Sequence, residues 1–218
     1  MSEGMVKRYS LSKQISEKLE SMIGEGEFAV GEKIPSENEL VTYFGVSRNT
    51  LREAIHSLIL AGVLEAKQGA GTFVRSKNRF RANMDQQLSQ CSTADIIEAR
   101  TALELSVVKL ACDRRTTEDL DFIMAELQKR GQLINTEKEH TTTDLAFHIA
   151  IAKSSHNQVL VELYHALAVH MDRTISERNR ETTMTHQEID AVHAQLFVAI
   201  CERDVEKAQS CVHKIMEI

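Results

Sequence analysis

Tryptophan is absent from this sequence, and proline occurs only once, at Pro35. Because proline and glycine disfavour helix interiors, one proline and nine glycines in 218 residues favour long helices over a strand-rich fold. No apolar run approaches the roughly 18 residues that a transmembrane helix requires, and no charged-then-apolar leader follows Met1. We therefore expect a mostly α-helical, soluble, cytoplasmic protein that has no membrane partner.

Cysteine is also scarce and shows no pairing pattern. The four cysteines, Cys91, Cys112, Cys201 and Cys211, form no C-x-x-C motif. This spacing is typical of small core residues, and it disfavours a disulfide framework or a cysteine-based zinc site.

An excess of positive charge is missing as well, since the chain carries a net charge of −6. The charge is unevenly distributed: residues 1–82 contain 12 Lys and Arg against 10 Asp and Glu, whereas the remainder contains 14 against 22. The chain therefore lacks a general basic coat, but an acidic body carries a mildly basic N-terminal region. This asymmetry favours contact with a polyanion through the N-terminal region alone.

The most ordered local pattern runs from Pro35 to Val74 and predicts a helix, a tight turn, a second helix and a two-stranded hairpin. Ser36 and Glu39 form a capping box that begins the first helix. Gly45 supplies the left-handed residue that ends this helix, and Ser47 caps the next one after a single intervening residue. The pattern is that of a helix-turn-helix followed by a wing.

The second of these helices, which we expect to end at Gly62, has two distinct faces. Its apolar stripe consists of Leu51, Ala54, Ile55 and Leu58. Its polar, cationic face consists of Arg48, Asn49, Arg52 and His56. Strands are predicted over residues 63–66 and 72–75, around a loop with two glycines. A helix that presents arginine and asparagine from its first turns, with a wing behind it, suits a DNA groove. The alternative is a solvated face on which Arg52 pairs with His56.

The run from LSKQISEKLESMIG through VSRNTLREAI to GAGTFV resembles the DNA-binding domain of the GntR family of bacterial regulators. The resemblance implies that Arg48 and Arg52 match the family's base- and phosphate-contacting arginines, and that the wing tip enters the minor groove. The family usually has arginine where this chain has Asn38. The residues predicted to contact DNA are Ser47, Arg48, Asn49, Thr50, Arg52, Lys67, Gln68 and Gly69.

Helical periodicity continues from Ser92 to the C-terminus without any strand pattern. About six helices are predicted there, and they should pack as an all-α bundle. We expect a winged helix-turn-helix domain at residues 1–75, a polar linker that has room for a short helix at 76–91, and an all-α effector-binding domain at 92–218.

One charged residue of this bundle is predicted to point inward. Arg100 lies on the same helical stripe as Ile96, Leu103 and Val107. A buried arginine needs a partner, because an unpaired internal charge is strongly destabilising. The partner is either Glu104, one turn along the helix, or the carboxylate of a ligand inside the bundle.

Three further polar residues lie on apolar faces. Asp144 and His148 are one helical turn apart, and His193 shares a stripe with Ile189 and Leu196. An Asp-x3-His pair at helical spacing can supply two ligands to one metal ion. Taken alone, a histidine on an apolar face is more often a core residue with an internal hydrogen-bond partner than a metal ligand.

The motifs IIEARTALEL, DLAFH and HAQLFVAICERDVEKA resemble the helical ligand-binding domain of FadR-like regulators, the FCD domain. The resemblance implies that Arg100 lines an effector cavity and that Asp144, His148 and His193 are metal ligands. Three protein ligands can hold a divalent metal, zinc or nickel-like, with an open position. The alternative is that this chain, like family members without the full ligand set, binds its ligand without metal.

A fourth ligand that the family commonly has is missing. The family's further histidine falls at Ile215 of this chain, and His213 lies about 200° away around a helix. His170 and His213 are the candidates to replace it.

Together these patterns predict a DNA-binding transcriptional regulator that acts as a homodimer on a palindromic operator, with a small organic acid as effector. The effector would change the spacing or freedom of the two DNA-binding heads. Two alternatives remain at this stage. One is a regulator that senses the metal itself, and the other is a metal-dependent hydrolase or lyase built on Asp144, His148 and His193. The enzyme is disfavoured because no inward glutamate stands out as a general base and a winged head has no use in catalysis.

Overall fold

The computed structural model describes residues 10–131, 137–181 and 185–217. The chain divides into two compact units, Met1–Gln86 and Gln87–Ile218. The first unit contains α1 (Leu11–Glu25), α2 (Glu37–Phe44), α3 (Arg48–Leu60), β1 (Leu64–Lys67), β2 (Gly71–Val74) and most of α4 (Arg79–Leu88). The second contains α5 (Thr93–Arg114), α6 (Thr117–Arg130), α7 (Glu137–Ser154), α8 (Gln158–Glu181), α9 (His186–Glu202) and α10 (Val205–Glu217). The predicted fold, a winged helix-turn-helix followed by a bundle of six helices, is confirmed.

The turn between α2 and α3 has the capping chemistry that the sequence predicts. Ser36 and Glu39 form a complete capping box at the start of α2. Gly45 ends α2 with a φ of 64°, in the left-handed region where glycine is favoured. The side chain of Ser47 accepts a hydrogen bond from the backbone N–H of Thr50 and begins α3. Local sequence thus fixes where α3 begins, and with it the position of Arg48.

The hairpin lies one residue closer to its loop than predicted. β1 and β2 pair antiparallel, with Leu64 opposite Val74 and Lys67 opposite Gly71. The predicted first strand began at Val63, but the backbone N–H of Val63 donates to the carbonyl of Leu58 and closes the end of α3. The Val63 carbonyl still accepts from the Arg75 N–H at 2.8 Å, but the regular strand pairing begins at Leu64.

The core of the N-terminal unit joins α1, α2, α3 and the hairpin. The predicted apolar stripe of α3 is buried in this core, and Leu19, Ile23 and Leu40 pack with it. In the segment predicted as a linker, α4 is tied to α1, because the Arg79 guanidinium contacts the Glu20 carboxylate at 2.8 Å. Arg79 is therefore engaged within the N-terminal unit.

The C-terminal unit packs six helices around a core that includes Phe147, Tyr164, Leu196 and Ile200. Capping boxes begin three of the helices: Ser92 with Asp95 on α5, Thr116 with Asp119 on α6, and Thr185 with Glu188 on α9. Among the residues that the structure describes, no helix is both long enough and apolar enough to span a bilayer.

Candidate functional site

The first turns of α3 form a polar surface on the N-terminal unit. Ser47, Arg48, Asn49 and Arg52 are exposed, and Thr50 is half-buried with its hydroxyl 2.8 Å from that of Ser47. The core lies on the opposite face of the helix, so these side chains carry no core packing. This surface has the donor groups and the exposure that a helix needs to read a DNA groove.

Arg52 has a partner that the sequence did not indicate. Its Nε donates to Oε2 of Glu37 on α2 at 2.8 Å, in place of the i,i+4 pairing with His56 that had been the alternative. The contact forms because the two helices of the motif pack together and bring residues 15 positions apart side by side. The Arg52 side chain remains 64% exposed, so the guanidinium is oriented by Glu37 but still accessible.

The wing places its three predicted residues at an exposed tip. Lys67, Gln68 and Gly69 are all exposed, and Gly69 has a φ of 73° that favours glycine. The Lys67 ammonium lies 4.8 Å from the centre of the Phe73 ring, which holds its side chain along the hairpin.

The C-terminal unit contains a second candidate site, a buried polar centre contributed by five helices. We use this name for Arg100 and Glu104 of α5, Arg130 of α6, Asp144 and His148 of α7, Tyr164 of α8 and His193 of α9. Each of these residues is at most 6% exposed. The structure therefore brings together all four ligand-binding residues that the sequence predicted, and adds three more.

Glu104 joins several members of the buried polar centre. Its Oε1 accepts from Arg100 Nε at 3.0 Å and from the Tyr164 hydroxyl at 2.7 Å, while its Oε2 lies 2.9 Å from His148 Nδ1. Burial alone would raise the pKa of Glu104, but His148 and Arg100 outweigh it and bring the pKa to about 2. Of the two partners considered for Arg100, the structure shows Glu104. The Arg100 Nη2 makes no hydrogen bond and lies 3.9 Å from Asp144 Oδ2.

Both histidines turn Nε2 toward the centre and have Nδ1 bound elsewhere. An ionised Glu104 can only accept, so the His148 Nδ1 carries the proton. The His193 Nδ1 donates to the backbone carbonyl of Ile189 at 2.8 Å, and burial lowers the pKa of His193, which keeps it neutral near pH 7. In each ring Nδ1 is held by the protein and Nε2 faces the Asp144 carboxylate, the arrangement found in histidines that bind a metal.

Asp144 lies between the two histidines. Its Oδ1 is 3.2 Å from His193 Nε2, and its Oδ2 is 3.9 Å from both His148 Nε2 and Arg100 Nη2. Arg130 Nε donates to the same Oδ1 at 2.8 Å. Burial would raise the pKa of Asp144, but the contacts with His193, His148 and Arg130 hold this pKa well below its usual range. The carboxylate is therefore ionised.

Three buried nitrogen atoms of this centre, Arg100 Nη2, His148 Nε2 and His193 Nε2, have no hydrogen-bond partner. A buried polar atom without a partner is destabilising, and clusters of such atoms mark functional sites. The candidate ligand atoms of Asp144, His148 and His193 lie within 4.8 Å of one another. Ligands 2.1 Å from a shared ion are separated by about 3.4 Å, so metal binding would draw these atoms together by up to about 1.4 Å. The residues thus fit a divalent metal held by two imidazoles and a carboxylate.

No fourth histidine joins this set among the described residues. Ile215 is buried in the apolar core, and His213 is exposed on α10. The cluster of candidate ligands is limited to Asp144, His148 and His193, and does not include His170. The proposed substitutes for the missing ligand are therefore not supported by the geometry.

Sequence reasoning missed Glu104 as the joining residue, and missed Arg130 and Tyr164 altogether. Arg130 ends α6 next to Lys129, where basic residues are common because they interact favourably with the helix dipole. A signal was nevertheless present, since Arg130 follows Ile123 and Leu127 at helical spacing and so lies on the apolar face.

Two family descriptions match the chain: "Bacterial regulatory proteins, gntR family" over residues 11–74 and "FCD domain" over residues 95–217. The regulator YcbG of Bacillus subtilis is 30% identical over 207 residues, which cover 93% of this chain and 85% of that protein. A putative L-lactate dehydrogenase operon regulatory protein of Escherichia coli is 35% identical over 160 residues, 70% of this chain and 61% of that one. The solved structure of Streptococcus agalactiae GntR superposes with a TM-score of 0.62 at 25% identity, covering 94% of this chain and 98% of that one.

Proposed function

Because the chain belongs to the GntR family of bacterial regulatory proteins and carries an FCD domain, we propose that a small carboxylate metabolite controls its binding to operator DNA, together with a divalent metal ion. The chain is a transcriptional regulator and not an enzyme, as its relatives indicate. The observation that carries the ligand-binding part is a set of three buried nitrogen atoms that make no hydrogen bond and lie 3.2–3.9 Å from the Asp144 carboxylate oxygens.

The DNA-binding part of the proposal assigns α3 to the major groove. Arg48 and Asn49 project from its first turn, and Arg52 follows one turn later. A bidentate contact between arginine and guanine contributes roughly 1–3 kcal/mol of discrimination against other bases. The wing residues Lys67, Gln68 and Gly69 would contact the adjacent minor groove and its phosphates.

A single recognition helix reads only a few base pairs. A homodimer on a palindromic operator would double the number of base pairs read and match the two-fold symmetry of such sites. We assign this activity to the bacterial cytoplasm, where the DNA of the cell is located.

In the C-terminal unit, Arg100 has the role of binding the carboxylate of the effector. Its Nε is held by Glu104, while Nη2 lies 3.9 Å from Asp144 Oδ2 and makes no hydrogen bond, so it can donate one to the effector carboxylate. Asp144, His148 and His193 would hold the metal, which would supply a positive centre for a further oxygen of the effector. A small hydroxy acid has both groups, and the relative named for an L-lactate dehydrogenase operon is consistent with a ligand of this class.

Control of DNA binding requires the effector to favour one state of the protein. A ligand that binds the DNA-competent and DNA-incompetent states with a 100-fold difference shifts their balance by about 2.7 kcal/mol. The sign of the shift decides whether the effector releases or recruits the regulator.

The experiment is a thermal-shift screen of small carboxylates on metal-stripped protein, with and without added zinc or nickel. A ligand that binds only the folded state raises the melting temperature by mass action. Ligands that raise it are then titrated into a complex of the protein with a DNA duplex selected from a random library. We expect carboxylates to raise the melting temperature and to change the DNA affinity.

His193→Ala should remove the metal-dependent part of the response, while His213→Ala, which changes an exposed histidine of α10, should not. Arg100→Met should remove the response to carboxylates. If metal alone changes DNA affinity and no carboxylate does, the protein is a metal sensor. If neither ligand changes the melting temperature, the ligand-binding proposal is wrong.

A further inference from the structure

Arg130 is hydrogen-bonded to a carboxylate oxygen of Asp144, one of the candidate metal ligands. Its Nε donates at 2.8 Å to Asp144 Oδ1, which is the carboxylate oxygen 3.2 Å from His193 Nε2. A metal that binds His193 Nε2 and this oxygen would place its charge close to the guanidinium. Arg130 is 3% exposed, so water cannot screen the repulsion effectively.

The charges of the buried polar centre are already balanced. Arg100 and Arg130 supply two positive charges, and Glu104 and Asp144 supply two negative ones, with all four side chains at least nine-tenths buried. A divalent cation would add two uncompensated charges at this depth, which is strongly unfavourable. An anion that enters with the metal would restore the balance in part.

Arg130 also has a second acceptor that lies outside the set of metal ligands. Its Nη1 donates to Asp190 Oδ1 on α9, and the Asp190 side chain is 43% exposed. The guanidinium can therefore lose its hydrogen bond to Asp144 and keep a counter-ion. Ile215 stands where the family commonly has a fourth histidine ligand. A metal would therefore have three protein ligands and one open position, which also favours binding together with an anion.

From these contacts we infer that Arg130 is an internal counter-ion that competes with the metal for Asp144, so that the metal binds weakly alone and tightly only together with an anion. This inference rests on the proposed metal site at Asp144, His148 and His193. It assigns Arg130 a specific task, which is to make metal and carboxylate binding depend on each other. By linkage, each ligand then raises the affinity for the other by the same factor.

The test is a measurement of zinc affinity on chelator-stripped protein, by competition with a fluorescent zinc chelator, with and without acetate as the anion probe. We expect Arg130→Met to bind zinc at least tenfold more tightly than the wild type in the absence of acetate. We expect acetate to raise the zinc affinity of the wild type by a larger factor than that of Arg130→Met, since the variant has one positive charge fewer to neutralise.

Two further substitutions separate competition from a general change of charge. Lys129→Met removes a positive charge from the neighbouring position of α6, where the side chain is exposed and pairs with Glu126, and should leave zinc affinity unchanged. Asp190→Asn leaves Arg130 with Asp144 as its remaining acidic partner and should weaken zinc binding. Asp121→Asn, at an exposed position of α6, is its matched control.

Asp190→Asn keeps the test usable if Arg130→Met does not fold. This variant retains Arg130, and we expect its zinc affinity to change in the opposite direction. Circular dichroism establishes which variants are folded. Equal zinc affinity in the wild type and folded Arg130→Met would overturn the inference and leave the metal site standing. Failure of every folded variant to bind zinc would overturn both the inference and the metal part of the proposed function. It would leave any carboxylate response of Arg100 intact.

Discussion

The two units of this protein use arginine in opposite ways. In the N-terminal unit Arg48 and Arg52 are exposed, and the apolar core beneath them is complete without their charges. In the C-terminal unit Arg100 and Arg130 are each 3% exposed and pair with buried carboxylates. Arg48 and Arg52 can contact a partner without disturbing the core, although Arg52 is paired with Glu37 at the surface, whereas the buried arginines are part of the interior that holds the helices together.

This difference predicts which side chains can be substituted without loss of the fold. A surface that reads DNA can lose a side chain and keep its fold, because water replaces the lost contact. A buried centre cannot, because the remaining partner keeps its charge in a medium that solvates it poorly. Substitutions in the first unit should therefore change DNA binding without changing stability. Substitutions in the buried centre of the second unit should change both ligand binding and stability.

The largest expected effect is at Glu104, which accepts from Arg100, Tyr164 and His148. Glu104→Ala would leave three donors unpaired in the interior and should destabilise the protein by about 3–5 kcal/mol. Urea unfolding followed by circular dichroism measures this change. Glu98→Ala, at an exposed position of the same helix, is the control and should stay within roughly 0.5 kcal/mol of the wild type. An equally small effect of Glu104→Ala would show that the two units do not differ as described.

Acid should destabilise the C-terminal unit for the same reason. The pKa of Glu104 is about 2 in the folded protein, below its ordinary value of 4.5. A carboxyl with a depressed folded pKa stabilises the protein above the unfolded pKa, and this stability is lost as the pH falls through the folded pKa. We expect a loss on the order of 3 kcal/mol between about pH 4.5 and pH 2.

Melting temperatures of the wild type and Glu104→Gln across this range measure the contribution, because the glutamine variant lacks the titrating group. The variant should be less stable at pH 7 and should lose less stability on acidification. Parallel acid profiles of the two proteins would contradict the assignment.

In the N-terminal unit, Arg48→Ala should change DNA binding and not stability. Loss of a bidentate base contact weakens specific binding by roughly 1–3 kcal/mol, which is about 5- to 150-fold. Fluorescence anisotropy with a library-selected duplex, against a scrambled competitor, measures both affinity and preference. Lys18→Ala, at an exposed position of α1, serves as the control for removing one positive charge. Unchanged sequence preference in Arg48→Ala would contradict the assignment of α3 as the recognition helix.

The smallest effects should be the same in both units. Ser36 caps α2 in the first unit and Thr116 caps α6 in the second, each within a complete capping box. Ser36→Ala and Thr116→Ala should each reduce stability by about 1 kcal/mol, because a cap satisfies exposed helix N–H groups in either setting. Chemical unfolding of each variant would measure this. A much larger loss for one of them would mean that the units differ in local as well as in buried interactions.

How far the sequence predicts the structure differs between the two sites. The limits of α2 and the start of α3 follow from Ser36, Gly45 and Ser47, since capping acts over three or four residues. The inward direction of Arg100 and His193 follows from helical periodicity. The partner of Arg52 does not, because Glu37 lies on another helix, 15 positions away. The position of Arg130 beside Asp144 is equally non-local.

The sequence by itself determined most of the secondary structure, the division into a DNA-binding head and a helical bundle, and the inward direction of Arg100, Asp144, His148 and His193. These features depend on local hydrogen bonding and on the period of the helix. Only the tertiary structure decided which inward charges neutralise one another, that Glu104 joins Arg100 to His148, and that Arg130 binds the oxygen that a metal would use. The physical reason is that buried charges are stabilised by whichever opposite charge the packing brings within a few ångströms. The residue spacing within one helix does not predict which residues of other helices will pack against it.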